Sequence, residues 1–148
     1  MNYNFLDNFN HKLDTKNRVS IPASYRQWTN EEQAGFVMSI GVEKCIIIYP
    51  AQKWNEFENN LTSKLRKTNP DHRIFLRRFT SNTSKVKCDK QGRISIPNKF
   101  LDFAQIKDNV KIVGVGDTFE LWNPENYDRI DDNIDFSDDL YTEIESSL

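Results

Sequence analysis

Two clusters of cations and hydroxyls carry the chemistry this sequence offers. Lys12, Lys16, Arg18 and Ser20 form the first, and Lys87, Lys90, Arg93 and Ser95 form the second. Arg presents a planar fork of N–H donors that meets a phosphate or a guanine edge bidentately. Lys adds point charges for a phosphate backbone, and a Ser hydroxyl can donate to phosphate oxygens. Each cluster also holds an Asp four residues before its Arg, Asp14 and Asp89. Asp side chains bond back to nearby amides in turns, so the aspartates are assigned to shaping the loops and the cations to contacting an anion. A plainer reading makes Asp14–Arg18 and Asp89–Arg93 ion pairs that only close the loops. It leaves the lysines on the same face without a role.

The two clusters belong to an internal repeat, "LDTKNRVSIPASYRQW" and "CDKQGRISIPNKFLDF". Asp14, Arg18, Ser20, Ile21 and Pro22 fall on Asp89, Arg93, Ser95, Ile96 and Pro97. Phe9, His11 and Leu13 alternate with Asn10, Lys12 and Asp14, and after the loop Val19 and Ile21 alternate with Arg18 and Ser20. A period of two on both sides of a short polar loop predicts a β-hairpin with one buried and one wet face. Asn17 and Gly92 suit a left-handed backbone at the loop. Pro22 and Pro97 suit the first position of a helix, which would put Tyr25 and Trp28, or Phe100 and Phe103, on one helical face. "GFVMSIGVEKCIIIYP" and "VKIVGVGDTFELWNP" each read as two short strands about a turn, with Gly41 aligned on Gly114. Between the halves, Trp54, Phe57, Leu61 and Leu65, then Ile74, Phe75 and Phe79, mark two packing helices.

Net charge over the 148 residues is −2, but it is unevenly spread. Residues 1–113 hold 19 Lys/Arg against 11 Asp/Glu, a balance of +8, and residues 114–148 hold one Arg against 11 acids, a balance of −10. The body is therefore basic, and the acidic end reads as a solvated, frayed tail. The longest apolar run, Cys45 to Tyr49, is too short to span a bilayer. No basic start followed by an apolar stretch marks the N-terminus for export. Cys45 and Cys88 occupy unmatched places in the repeat and read as reduced core thiols of a cytoplasmic protein.

The chain resembles the MraZ family, whose members are built from two SpoVT-AbrB swapped-hairpin halves. "DTKNRVSIPASYR" and "DKQGRISIPNKF" match the family's DxxGR motif, strand and Pro; "IIIYPAQKW", "NPDHRIFLRRF" and "GVGDTFELWNPENY" follow as further landmarks in order. The first motif has Asn17 where the family has Gly. The likeness runs from Asn8 to Asp128. It implies a mixed α+β, β-rich double swapped-hairpin (AbrB-like) barrel. Its expected parts are one half over 8–55, a helical connector over 56–82, a second half over 83–128 and an acidic tail over 129–148. The function implied is a bacterial DNA-binding transcriptional regulator, associated with the nucleoid, that controls its own division and cell-wall gene cluster. Rings of the protein would contact several short repeats in double-stranded DNA.

Catalysis has no support in the residues. His11 and His72 make no metal cluster, Ser20 and Ser95 have no His placed to activate them, and no phosphate-binding glycine loop is present. No enzyme, cofactor, metal or membrane partner is expected. Two alternatives to a DNA-binding regulator stay open: an AbrB-type antitoxin, and a ring-forming scaffold whose cations only solvate it.

Overall fold

A computed structural model describes residues 4–27, 35–133 and 138–148. Trp28 lies outside the described residues, so the expected Tyr25/Trp28 pairing is left to Tyr25 alone. The first half comprises β1 (Asn8–Lys12), β2 (Arg18–Ser20), α1 (Ala23–Arg26), β3 (Phe36–Ile40) and β4 (Ile46–Pro50). Helices α2 (Ala51–Lys64) and α3 (Pro70–Ser81) follow. The second half comprises β5 (Thr83–Val86), β6 (Arg93–Ser95), α4 (Asn98–Ala104), β7 (Asn109–Gly114), β8 (Phe119–Trp122) and α5 (Pro124–Asn133), and α6 (Asp138–Ser146) ends the chain.

The strands flanking each polar loop do not pair with each other, which corrects the expected hairpin. Instead β1 pairs with β7, β5 with β3, and β2 with β6, all antiparallel. Each half lends its first strand to the other half's hairpin. The reason lies in the loop: Asp14 N donates to Arg18 O, Asp89 N donates to Arg93 O, and the strands then diverge into different sheets. The hairpins read from "GFVMSIGVEKCIIIYP" and "VKIVGVGDTFELWNP" are present as β3–β4 and β7–β8. Their turns differ by one residue. Gly41 N donates to Cys45 O and Val115 N to Thr118 O, so Gly41 corresponds to Val115 and not to Gly114.

The result is a six-stranded antiparallel sheet in the order β1-β7-β8-β4-β3-β5, with β2–β6 as a separate two-stranded ribbon. The sheet keeps two edges, β1 and β5, so the expected barrel does not close. A pseudo-two-fold axis passes between Ile47 and Glu120 in the β4–β8 pair and between Val19 and Ile94 in the ribbon.

One core serves both halves. Val19, Ile21, Ile94 and Ile96 from the ribbon are buried with Phe36, Met38, Ile46 and Ile48 from one half and Ile112, Phe119 and Leu121 from the other. Each such side chain contributes about 1.5–3 kcal/mol when fully buried, so the ribbon is anchored at every second residue. Phe5, Tyr25 and Phe119 form an aromatic cluster with ring centroids 4.9–5.1 Å apart. The Tyr25 hydroxyl donates to Leu6 O at 2.7 Å. Pro22 and Pro97 stand at the N-cap of α1 and α4, one position earlier than expected. On the sheet's other face, Cys45, Val113 and Trp122 pack with Tyr127 and Ile130 of α5. Burial, then the Glu120 and Glu43 carboxylates, hold the Cys45 thiol far above its ordinary range. Neither cysteine is joined in a disulfide.

Within the acidic end the described residues include helix on both sides of 134–137, α5 running to Asn133 and α6 covering Asp138–Ser146, where a frayed tail was expected. The connector helices pack less fully than their stripes predict. Trp54 is buried, but Phe57, Ile74 and Phe75 stay 40–45% exposed. Among the described residues no helix is long and apolar enough to cross a membrane.

Candidate nucleic-acid interface

The two repeat motifs, distant in sequence, make one surface because β2 pairs with β6. Arg18 stands opposite Ser95, Val19 opposite Ile94, and Ser20 opposite Arg93. Val19 and Ile94 are fully buried, so the alternation of a strand turns Arg18, Ser20, Arg93 and Ser95 to the opposite, outer face. Those four residues form a two-by-two lattice, each Arg beside a Ser of the other half. Ile96 N donates to Asn17 O and Ile21 N to Gly92 O, both at 2.9 Å. These bonds extend the ribbon into the loops, one at each of its ends.

Each loop is built around its Asp. Asp14 Oδ1 accepts from the amides of Lys16 and Arg18 at 2.8 and 2.9 Å, and Oδ2 accepts from Arg18 Nε at 2.6 Å. Asp89 repeats this with Gln91 N, Arg93 N and Arg93 Nε, all at 2.9 Å. The amide of Arg18 lowers the Asp14 pKa most, and the amide of Arg93 does the same for Asp89, each carboxyl resting below its ordinary value. Both carboxylates are therefore ionised and committed to the loop. Each Arg spends its Nε on that clamp. The Arg18 Nη nitrogens make no hydrogen bond among the described residues, and Arg93 Nη1 approaches only Asp14 Oδ2, at 3.8 Å. A guanidinium held this way has little rotamer freedom left to lose on meeting a ligand.

The left-handed positions tie each loop to the other half. Asn17 has φ 58° and Gly92 φ 76°. Asn17 Nδ2 donates to Asn98 Oδ1 at 3.0 Å, at the start of α4. Gly92 lies beneath Arg26 of α1, where an added Cβ would sit 2.6 Å from the guanidinium carbon.

The remaining cations lie around this lattice. Lys16 and Lys90 are exposed on the loops. Lys12 ends β1 opposite Asn109, and Lys87 lies just after β5, so both stand beside the large sheet and share no ladder with the arginines. The expected single wet hairpin face is thus divided between ribbon and sheet edges. Among the described residues no group of His, Cys, Asp and Glu could hold a metal.

The model of the family described as "MraZ protein, putative antitoxin-like" matches residues 5–78 and again 79–144. The chain belongs to the MraZ family. A "Transcriptional regulator MraZ" of Clostridium tetani (strain Massachusetts / E88) is 36% identical over 133 residues, 89% of this chain and 91% of that protein. Proteins of the same name from Alkaliphilus oremlandii (strain OhILAs) and Natranaerobius thermophilus are 37% and 38% identical, covering 90% and 84% of this chain and 92% and 85% of theirs. The two MraZ matches divide the chain at residues 78 and 79, inside α3, so this helix carries the chain from one repeat into the other. The MraZ proteins are named as regulators and not as enzymes. A residue outside both expected clusters also shapes this MraZ surface: Arg26 Nε donates to Ile21 O at 2.8 Å while its guanidinium covers Gly92. Arg26 falls four residues after Pro22, one helical turn above the ribbon's end, but no spacing in the sequence links it to Gly92.

Proposed function

We propose that the chain is a DNA-binding transcriptional regulator that controls the promoter of its own division and cell-wall gene cluster. It would act in the cytoplasm, on the nucleoid. The carrying observation is the lattice on the β2–β6 ribbon, with Arg18 opposite Ser95 and Arg93 opposite Ser20. A two-stranded ribbon fits the major groove, where an Arg edge reads guanine. Arg18 and Arg93, already clamped through Nε, would offer their Nη edges to bases. Ser20 and Ser95 would bind phosphate oxygens, and Lys12, Lys16, Lys87 and Lys90 would supply backbone charge. Asp14, Asn17, Asp89 and Gly92 would hold the loops in shape.

One ribbon gives a weak contact at cellular salt. Self-association into a ring would line up several ribbons along several short DNA repeats, and avidity would multiply the affinity without new contacts. Footprinting of the region upstream of the protein's own gene tests this reading. Protected, regularly spaced repeats that vanish with Arg18→Ala and Arg93→Ala support it. A folded protein that shifts no upstream DNA overturns it in favour of a scaffold. The description of the matching family as antitoxin-like favours one second reading, an antitoxin; growth arrest on deletion, relieved by losing a neighbouring gene, would establish that instead.

A further inference from the structure

The α2–α3 arm carries a groove and a surplus of charge that the ribbon does not use. A cavity of about 200 Å³ lies where the arm meets the β3–β5 ladder, lined by Val37, Trp54, Leu76, Phe79, Thr83 and Lys85. Its apolar wall continues outward. Phe79 stacks on Trp54 at 5.3 Å and Phe75 on Phe79 at 5.7 Å. Phe75 and Ile74, beyond them, are each 45% exposed. Between positions 64 and 78 the sequence places six Lys/Arg and a single acid, Asp71. Arg73 donates to Lys67 O. Lys64, Arg66, Lys67, Arg77 and Arg78 have no ionic partner among the described residues.

The other end of the chain is its complement. Residues 131–148 hold seven acids and no Lys or Arg. Ile144 on α6 is 52% exposed, and Leu148, two residues beyond the helix end, is 99% exposed. Every residue from 142 to 148 is exposed, and neither Ile144 nor Leu148 belongs to a core cluster of the described residues.

We propose that the α6 segment of one copy docks on the α2–α3 arm of a second copy. Ile144 and Leu148 lie against the Phe75–Phe79 wall, and Glu143 and Glu145 face Arg77 and Arg78. The two surfaces differ, so the contact is head-to-tail and repeats from copy to copy until the assembly closes. The inference rests on the self-association reading above and names the surface that performs it.

The test is sedimentation of the full-length chain at micromolar concentration, in low and high salt, with thermal melts to confirm folding. Glu143→Lys with Glu145→Lys, and separately Arg77→Glu with Arg78→Glu, each raise the dissociation constant of the assembly at least about tenfold. The chain carrying all four changes recovers assembly. Ile144→Ala with Leu148→Ala weakens it without altering charge. A wild-type assembly indifferent to both charge reversals overturns this contact and leaves self-association standing; a wild-type monomer overturns both. Arm substitutions that weaken binding to a duplex carrying one repeat, with the mass unchanged, assign the arm to DNA and also overturn the proposal.

Discussion

Arg93 Nη1 lies 3.8 Å from Asp14 Oδ2, so a carboxylate of the first repeat faces the guanidinium of the second. Asp14 already accepts from Arg18 Nε. The acid sits between two arginines of different halves, and the loops respond to its charge together.

Acid should loosen both loops. The Asp14 and Asp89 carboxyls rest below their ordinary value of 3.8 because the charged form accepts loop amides. A depressed folded-state pKa contributes stability that is full above the unfolded value and lost as pH falls through the folded one. Melting temperature should therefore drop on acidification below about pH 4, and part of that drop should vanish in the Asp14→Asn, Asp89→Asn double variant. Parallel pH profiles for the two proteins would reject the assignment.

Replacing Arg18 or Arg93 by Ala should separate binding from folding. Each Arg is partly exposed and none of its atoms joins the core. The melt should stay cooperative and shift by no more than about 1 kcal/mol. Operator affinity should fall by roughly 1–3 kcal/mol for each engaged guanidinium. Lys16→Ala and Lys90→Ala should weaken all DNA alike and flatten the salt dependence by about one unit per contact. Gel shifts against operator and unrelated duplexes at several salt concentrations read all three effects.

Gly92 tolerates a side chain less than Asn17 tolerates change. Gly92→Ala meets both a positive φ and the Arg26 guanidinium, and should cost about 1 kcal/mol or more. Asn17→Gly should cost less, since glycine adopts φ 58° freely and only the exposed bond to Asn98 is lost. Chemical denaturation of both variants gives the comparison, and equal losses would show that Arg26 simply moves aside.

A single half should not fold. Residues 1–68 retain β3–β4 but lose β7 as partner to β1, β6 as partner to β2, and β5 as partner to β3. A cooperative melt from that fragment alone would contradict the interleaved pairing.

The sequence showed the repeat, the loop chemistry and the β3–β4 and β7–β8 hairpins, because each is local. Alternation told which side of residues 18–20 is buried and placed Val19 and Ile94 inside. It could not tell which strand lies beside them, since period two is the same for a local hairpin as for a partner 75 residues away. For the same reason Arg18 and Arg93 were recognisable as a pair of motifs, while their meeting on one ribbon was not. Arg26 was missed because nothing in its neighbours' spacing marks the glycine of the other half lying beneath it. The helices of the acidic end were hidden by composition, which records charge but not backbone conformation.

The interleaving of β1 with β7 and of β2 with β6 also sets an order of events at synthesis. β2 leaves the ribosome 75 residues ahead of the strand that pairs with it, a wait of roughly 4–15 s at ordinary translation speeds. During that interval β2 lacks the strand it pairs with, and the edge of β3 that takes β5 stays open until β5 follows. Contacts of such long sequence separation also slow the final step, because their loops must close before any pairing repays them. The early charges on this stretch, Lys12, Lys16 and Arg18 among them, would then serve as solubilising gatekeepers while the nascent chain waits.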